Sequence, residues 1–225
     1  MNALNKQALG GLLRLAITLA ALLFLPAWTL HYWQAWIFLS VFLAAVMAIT
    51  LYLMKHDPQL LARRVRGGPR VEKEPAQKTI QFVAAIAFVI VIAFPAIDHR
   101  FAWSTVPPYV SFAGDGLVAL GRLIIFLVFK ENTFTSAVIE VDAEQTVIAT
   151  GPYRLARHPM YAGALVMLLG VPLALGSRWG LLTIIPIALV IVWRLLDEEK
   201  FLARNLPGYS EYRSKVKARL VPFIW

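Results

Sequence analysis

The chain has 225 residues, of which 59% are hydrophobic and only 16% are charged, and its mean hydropathy is +0.66. Soluble domains usually contain about 45–50% apolar and about 25% charged residues, so this composition indicates an integral membrane protein. The net charge of +9 fits basic loops on a cytoplasmic membrane face better than a nucleic-acid surface, which would require a soluble basic groove. Because the chain has no cysteine, disulfides, thiolate metal sites and a cysteine nucleophile are excluded.

Six apolar stretches approach the roughly 20 residues that a helix needs to cross a bilayer. They are residues 8–28, 33–54, 79–97, 109–129, 160–176 and 179–196. The first is expected to stay in the membrane as a span, because it is long and has no small-residue cleavage site of the kind that ends a signal peptide. The short link Thr29–Tyr32 should join the first two spans as an antiparallel hairpin. The sequence therefore predicts an all-α bundle of about six transmembrane helices.

Lysine and arginine are divided unequally between the two sides of this bundle. If the N-terminus is inside, 17 of the 22 lie on the inner side, two lie on the outer side and three lie within spans. Cytoplasmic loops carry the excess of basic residues, so both termini are expected in the cytoplasm. The sequence shows no organellar signal, and this favours a bacterial cytoplasmic membrane.

Two loops contain polar motifs of their own. Residues 55–78 combine prolines and glycines with charges, so they should form a cytoplasmic connector. It is either solvated throughout or includes a short amphipathic helix, Pro58–Val65, on the lipid surface. On the outer side, Asp98-His99-Arg100 follows the third span. Helix capping and interfacial anchoring are its favoured roles, with an outer functional site as the alternative.

The fourth span contains two ionisable residues, Asp115 and Arg122. They are seven positions apart, close to two helical turns, so they share a face that should look into the bundle or a cavity. Arg122 is therefore a candidate for lining a ligand cavity, whereas Asp115 could instead lie near the outer interface. The polar, β-branched residues 130–150 that follow predict an irregular or strand-like cytoplasmic segment that covers another part of the protein.

The last two spans should bring two polar clusters together. Pro159 fits the first turn of the fifth span, with His158 just outside, and the N-terminus of that helix can hold a carboxylate. The short turn Gly176–Arg178 sends the sixth span back to the same face. Arg194 and Glu198–Glu199 should then meet the residues around His158. From charge pattern alone, the pairing could be a purely structural ion-pair network.

The residues after the sixth span are expected to leave the membrane. Lys200–Asn205 should continue the helix into the cytosol, and Pro207-Gly208 should end it. The segment Tyr209–Leu220 is basic and amphipathic, which predicts a C-terminal helix on the membrane surface.

The C-terminal third carries an ordered set of motifs. They are Gly151-Pro152-Tyr153-Arg154, Arg157-His158-Pro159 with Tyr161 and Gly163, Arg194 with Glu198-Glu199, Gly208-Tyr209 with Tyr212, and Arg219-Leu220-Val221-Pro222. At these spacings the set resembles the isoprenylcysteine carboxyl methyltransferase and phospholipid methyltransferase superfamily over residues 145–225. The resemblance implies an integral-membrane methyltransferase that uses S-adenosyl-L-methionine in a pocket at the cytoplasmic end of the final helices, with a lipophilic substrate admitted from the bilayer.

The same resemblance implies roles for individual residues. Those implied to bind the cofactor are Tyr153, Arg157, His158, Pro159, Tyr161, Gly163, Glu198 and Glu199. Arg194 is implied to orient the acceptor, and Arg194 and Glu198 are the catalytic candidates. No metal is implied. The chain would then divide into a four-span region on the substrate side, residues 1–130, and a methyltransferase core, residues 131–225.

The chemistry of methyl transfer agrees with this set of residues. The cofactor carries a sulfonium, an ammonium and a carboxylate, so its pocket needs both acidic partners and a basic or helix-N-terminal one. In-line transfer depends on alignment and exclusion of water rather than on a metal. A carboxylate acceptor could be held by Arg194, whereas an amine would give its proton to Glu198 or His158.

Two other functions are consistent with the sequence alone. A membrane reductase that uses a nicotinamide cofactor is one, and a non-enzymatic membrane component with structural ion pairs is the other. The expected partners are the membrane and a lipophilic or lipid substrate, with no nucleic acid. Neither the acceptor nor the oligomeric state follows from the sequence.

Overall fold

The computed structural model describes residues 2–66, 72, 75–138, 141, 145–222 and 225. Its α-helices are α1 (Ala3–Ala27), α2 (Trp33–His56), α3 (Pro58–Val65), α4 (Pro75–Phe101), α5 (Pro108–Glu131), α6 (Pro159–Ala174), α7 (Ile184–Asn205) and α8 (Tyr209–Lys215). Two 3₁₀ turns, Gly151–Arg154 and Trp179–Thr183, precede α6 and α7. The described residues form no strand, so the all-α prediction is confirmed.

Five helices are long and apolar enough to cross a membrane. They are Ala3–Ala27, Trp33–His56, Ala76–Phe101, Pro108–Glu131 and the continuous stretch Trp179–Asn205. The remaining apolar helix, α6, has 16 residues. Its length of about 24 Å is less than the roughly 30 Å of a hydrocarbon core. The structure thus has five helices of spanning length and one shorter apolar helix, so the number of about six spans and the placement of both termini in the cytoplasm stay predictions.

Glycines allow α5 and α6 to pack backbone against backbone. Gly114 on α5 faces Gly170 on α6, and Gly121 on α5 faces Gly163 on α6. The two glycines on each helix are seven residues apart. A Cβ atom on Gly163 would lie 2.9 Å from the carbonyl oxygen of Gly121, and one on Gly170 would lie 2.8 Å from Leu117 Cβ. Small residues at such positions let membrane helices approach closely. This contact fixes the N-terminus of α6 beside the end of α5.

The end of the bundle where α4 finishes is joined by a buried carboxylate. Asp98 is fully buried and accepts hydrogen bonds from the backbone N–H and the hydroxyl of Ser104, at 2.7 and 2.6 Å, and from the hydroxyl of Ser177. Arg100 lies over the ring of Trp28, at 5.4 Å from its centroid. These contacts support a structural role for the Asp98-His99-Arg100 motif, and its anchoring at the membrane interface stays a prediction.

Helix α3 forms with the predicted bounds and packs on the bundle, so the alternative of a connector solvated throughout is wrong for these residues; a position on the lipid surface stays a prediction. Leu60 and Leu61 are buried against the bundle. Arg64 donates to the carbonyl oxygen of Ser136 at 3.1 Å and lies over the ring of Phe129. The helix packs because its apolar side closes the gap between the starts of α1 and α6 and the ends of α2 and α5.

The C-terminal helix is shorter than predicted. It ends at Lys215 instead of Leu220, and its residues Tyr209 and Tyr212 are buried, so it does not simply lie on a surface. The break at Pro207-Gly208 is confirmed, with Gly208 at a φ of 81°. The residues after Lys215 are pulled away from helical geometry because the backbone N–H groups of Arg157 and His158 donate to the carbonyl oxygens of Ala218 and Arg219.

Candidate active site

A cavity of about 530 Å³ lies where α6 begins and the second half of α7 passes, and we call this end of the bundle the inner end. Its walls come from α4, α6, α7 and α8 and from the irregular segments 132–138 and 145–148. The prediction that residues 130–150 are irregular and cover another part of the protein is therefore confirmed from residue 132 onward, whereas Lys130 and Glu131 belong to α5; residues 139, 140 and 142–144 lie outside the described residues.

The structure brings most of the predicted site residues to this cavity. Seven of the nine line it: Tyr153, Arg157, His158, Pro159, Tyr161, Arg194 and Glu198. Gly163 lies in the contact between α5 and α6, and Glu199 lies behind the wall in an ion-pair cluster. Their predicted contact with a cofactor stays a prediction, but the structure gives both residues a supporting position.

Tyr161 connects the two catalytic candidates. Its hydroxyl donates to Glu198 Oε2 at 2.5 Å and accepts from Arg194 Nε at 3.0 Å. Tyr161 lies on the first turn of α6, because Pro159 begins that helix with His158 as the preceding cap residue, as predicted. Arg194 and Glu198 are one turn apart on α7, so both reach the same phenol. The Tyr161 side chain therefore fixes the positions of a carboxylate and a guanidinium on α7.

The guanidinium of Arg194 is also held from the other side of the cavity. Its Nη1 donates to Gln77 Oε1 at 3.2 Å and its Nη2 to the carbonyl oxygen of Ala137 at 3.4 Å. Gln77 is fully buried on α4 and also donates to Asp197. Sequence reasoning missed Gln77, because nothing in its local pattern distinguishes it from the polar start of a membrane helix.

Glu199 is the centre of a buried cluster of ion pairs. Its Oε1 accepts from Arg157 Nε at 2.7 Å and lies 3.4 Å from His158 Nε2, and its Oε2 accepts from Arg219 Nε at 3.1 Å. Arg157 Nη1 also donates to the carbonyl oxygen of Val216 at 2.9 Å. The cluster ties α7, the start of α6 and the C-terminal segment together. A structural ion-pair network, which the charge pattern allows for the whole site, is thus present around Glu199.

Three tyrosines form the wall opposite Tyr161. Tyr153 accepts a hydrogen bond from Asn132 Nδ2 at 3.0 Å, and Tyr212 donates to the carbonyl oxygen of Tyr153 at 2.7 Å. The pKa of Tyr153 is raised to about 12: burial is the largest cause, the hydrogen bond from Asn132 lowers the pKa and the charge of Glu198 raises it. Tyr153 is therefore a neutral phenol at physiological pH, with its proton available for donation.

Tyr209 is different, because its buried hydroxyl has no hydrogen-bond partner among the described residues. Burial, followed by the nearby charges of Glu199 and Glu198, raises the pKa of Tyr209 above its ordinary value. An unpaired buried hydroxyl costs free energy. Because Tyr209 lines the cavity, a polar ligand there would supply the missing partner.

The donor set of the cavity fits a ligand that carries both signs of charge. Glu198 supplies a carboxylate, Arg194 a guanidinium and the first turn of α6 unpaired N–H groups. Apolar side chains such as Phe88, Ile187 and Ile191 complete the wall. The volume is within the range of about 300–1,000 Å³ usual for small-molecule sites.

Comparison with known proteins gives concordant results. Residues 109–207 match the family model described as phospholipid methyltransferase. Two rice proteins, each named "Probable protein-S-isoprenylcysteine O-methyltransferase" and from Oryza sativa subsp. indica and subsp. japonica, are 28% identical to the chain over 206 residues, which cover 85% of this chain and 97% of theirs. The "Cobalt-zinc-cadmium resistance protein CzcN" of Cupriavidus metallidurans is 27% identical over 104 residues, 45% of this chain and 48% of its own.

The matched region runs from α5 to the end of α7 and contains every predicted site residue. The similarity to the rice proteins extends beyond it into the N-terminal helices, since it covers 85% of the chain. These matches favour methyl transfer over the nicotinamide-dependent and non-enzymatic alternatives. Residues 109–207 thus match the phospholipid methyltransferase family, and the similarity to the two rice proteins supports the resemblance of the whole chain to the isoprenylcysteine carboxyl methyltransferase and phospholipid methyltransferase superfamily.

Proposed function

We propose that the protein transfers a methyl group from S-adenosyl-L-methionine to a lipophilic acceptor at the inner cavity. The observation that carries the proposal is the convergence of seven predicted site residues on one cavity. They come from the 3₁₀ turn Gly151–Arg154, the link that follows it, α6 and α7. The site would face the cytoplasm, most simply of a bacterial inner membrane. The excess of Lys and Arg in the loops on that side supports this orientation.

The residues that would hold the donor follow from its charges. S-adenosylmethionine supplies an electrophilic methyl group on a sulfonium cation. Glu198 would balance positive charge, the N-terminus of α6 would bind the carboxylate, and the unpaired hydroxyl of Tyr209 would gain a hydrogen-bond partner. His158, whose ring stacks on Tyr161 at 5.7 Å between centroids, would form part of the wall beside them.

Arg194 and Tyr161 would orient the acceptor. Arg194 is held in place by Tyr161, Gln77 and the Ala137 carbonyl, so its guanidinium loses little entropy when it binds a ligand. A carboxylate acceptor attacks through an oxygen that is already negative, so no proton has to leave. An amine acceptor would have to give its proton to a base, and Glu198 is the carboxylate that shares the Tyr161 hydroxyl with Arg194.

Titration calorimetry with S-adenosylhomocysteine tests the donor site. We expect saturable binding to the wild-type protein and loss of binding in His158→Ala and Glu198→Gln. Arg204→Gln, which removes an exposed charge at the end of α7, is the matched control and should bind normally. A well-folded wild-type protein that does not bind S-adenosylhomocysteine would refute the proposal.

Incubation with methyl-labelled S-adenosylmethionine and a total lipid extract identifies the acceptor. The labelled fraction is separated and then treated with alkali. A methyl ester releases its label as volatile methanol, whereas an N-methyl group keeps it. The same experiment therefore distinguishes a carboxylate acceptor from an amine.

A further inference from the structure

A second cavity adjoins the active-site cavity. Its volume is about 560 Å³, and its walls come from α1, α2, α3, α5 and α6. It shares Arg64, Met160 and Tyr161 with the active-site cavity. The phenol that holds Arg194 and Glu198 is therefore also part of the wall of this second cavity, and we call it the membrane cavity.

Arginines give the membrane cavity a single sign of charge. Arg14, Arg64 and Arg122 line it, and no Asp or Glu is among its described lining residues. The other lining residues are mainly apolar, with Gln7 and Thr50 as the uncharged polar ones besides Tyr161. Clusters of cations without a counter-ion are costly in a low-dielectric environment, so a charge of the opposite sign is needed.

Arg122 is the least satisfied of the three. Its Nε is buried without a hydrogen-bond partner, and its guanidinium lies 4.2 Å from the centroid of the Phe42 ring. In the described part of the chain it forms no ion pair. By contrast, Arg64 donates to the Ser136 carbonyl, and Arg14 Nε donates to the carbonyl oxygen of Gly10 at 3.3 Å.

Arg14 and Arg122 lie at similar depths. The start of α1, the ends of α2 and α5 and the start of α6 pack together in one apolar cluster, so these helix ends lie on the same side. Arg122 is nine residues before the end of α5 and Arg14 is 11 residues after the start of α1. At 1.5 Å per residue these separations are about 14 and about 17 Å. The Cα atoms of both residues therefore lie well inside the spanning helices; the Arg14 side chain is exposed on the bundle surface, whereas Arg122 Nε is buried.

We propose that the membrane cavity is the loading site for an anionic lipophilic acceptor, whose carboxylate binds Arg122 and whose chain packs along the apolar wall. This inference rests on the proposed function and narrows it, because it selects a carboxylate acceptor over an amine. An amine would bring a fourth positive charge into a cavity that already holds three. Tyr161 and Arg64, which belong to both cavities, connect the loading site to Arg194.

Direct binding of a fluorescent fatty acid tests the proposal without requiring methyl transfer. The probe is cis-parinaric acid, compared with its methyl ester, and the protein is held in phosphatidylcholine nanodiscs at mildly alkaline pH. Energy transfer from tryptophan reports binding. We expect the acid to bind at least about tenfold more tightly than the ester, because a charge-assisted contact contributes about 1.5–3 kcal/mol. Equal binding of acid and ester would overturn the proposal.

Variants then assign the binding to Arg122. Arg122→Gln should weaken binding of the acid to the level of the ester, Arg122→Lys should keep most of it, and Arg204→Gln should behave as wild type. Retained S-adenosylhomocysteine binding shows that each variant is folded. An unchanged affinity in Arg122→Gln refutes the assignment.

Two outcomes distinguish the loading site from a phospholipid site and from the proposed methyltransferase function. If phosphatidylglycerol added to the nanodiscs displaces the acid in an Arg122-dependent way without inhibiting methyl transfer, the cavity is a phospholipid site and the loading role is refuted. If S-adenosylhomocysteine fails to bind the wild-type protein while the acid still binds through Arg122, the proposed function fails and the anion site stands on its own.

Discussion

Replacing Glu199 by glutamine should destabilise the protein strongly, because the change leaves a buried cluster of cations without its carboxylate. The side chains of Glu199 and Arg157 are each 5% exposed, so little water can compensate. Glutamine keeps the size of the side chain but removes the charge that faces Arg157, His158 and Arg219. Breaking one partner of a buried ion pair costs about 3–5 kcal/mol.

The matched control is Glu211→Gln. Glu211 is likewise a glutamate in an ion pair, with Lys215 at 2.7 Å, but its side chain is 70% exposed. Removing its charge should therefore leave the unfolding midpoint unchanged. The assay is thermal unfolding of both variants in the same detergent, followed by tryptophan fluorescence. For a chain of this length the cost in Glu199→Gln corresponds to a midpoint lower by on the order of 10 °C.

Two results would refute this reasoning. If Glu199→Gln unfolds at the same temperature as Glu211→Gln, the cluster does not hold the C-terminal segment in place. If Glu199→Gln has the stability of the wild type but no longer binds S-adenosylhomocysteine, Glu199 contacts the donor directly and its supporting position is not its main role.

Two further predictions concern the cavity wall. Gln77→Leu should lower the maximal rate of methyl transfer about 10–100-fold while S-adenosylhomocysteine affinity stays unchanged, because the hydrogen bond from Arg194 is lost. Equal losses in rate and donor affinity would contradict a positioning role. Tyr153 has a folded-state pKa of about 12, above the value near 10 expected when unfolded, so its contribution to stability is complete below pH 10 and is lost as the pH rises to about 12. Between pH 10 and about 12, the free energy of unfolding of Tyr153→Phe should therefore fall less steeply than that of the wild type. Parallel plots of unfolding free energy against pH would contradict the raised pKa of Tyr153.

The sequence predicts the helices well because their causes are local. Apolar length defines the spans, Pro159 fixes the start of α6, and Asp57 and Pro58 fix the start of α3. The position of α3 could not be predicted, since its amphipathic pattern is the same whether Leu60 and Leu61 face lipid or protein. The early end of α8 could not be predicted either, because it depends on hydrogen bonds from residues about 60 positions earlier, Arg157 and His158.

The site shows the same division between local and long-range causes. The short turn before α7 predicts that Arg194 and Glu198 meet Tyr161, and the structure places them together. Gln77 could not be found in this way, because its bond to Arg194 joins positions 117 residues apart through the packing of α4 on α7. Likewise, the sequence indicates that Arg122 faces inward but not that three arginines share one cavity.

Adjacent acids on one helix are directed to different surroundings by the helix itself. Successive residues of an α-helix point about 100° apart, so Glu198 and Glu199 cannot face the same partner. Glu198 faces the cavity and is held by Tyr161, whereas Glu199 faces the C-terminal segment and is held by Arg157 and Arg219. The ion pairs of Glu199 thus hold the backbone of α7 in place one residue away from Glu198. A shift of α7 that moved Glu198 would have to break the buried ion pairs of Glu199, so the cluster resists displacement of the cavity wall during binding of a charged ligand.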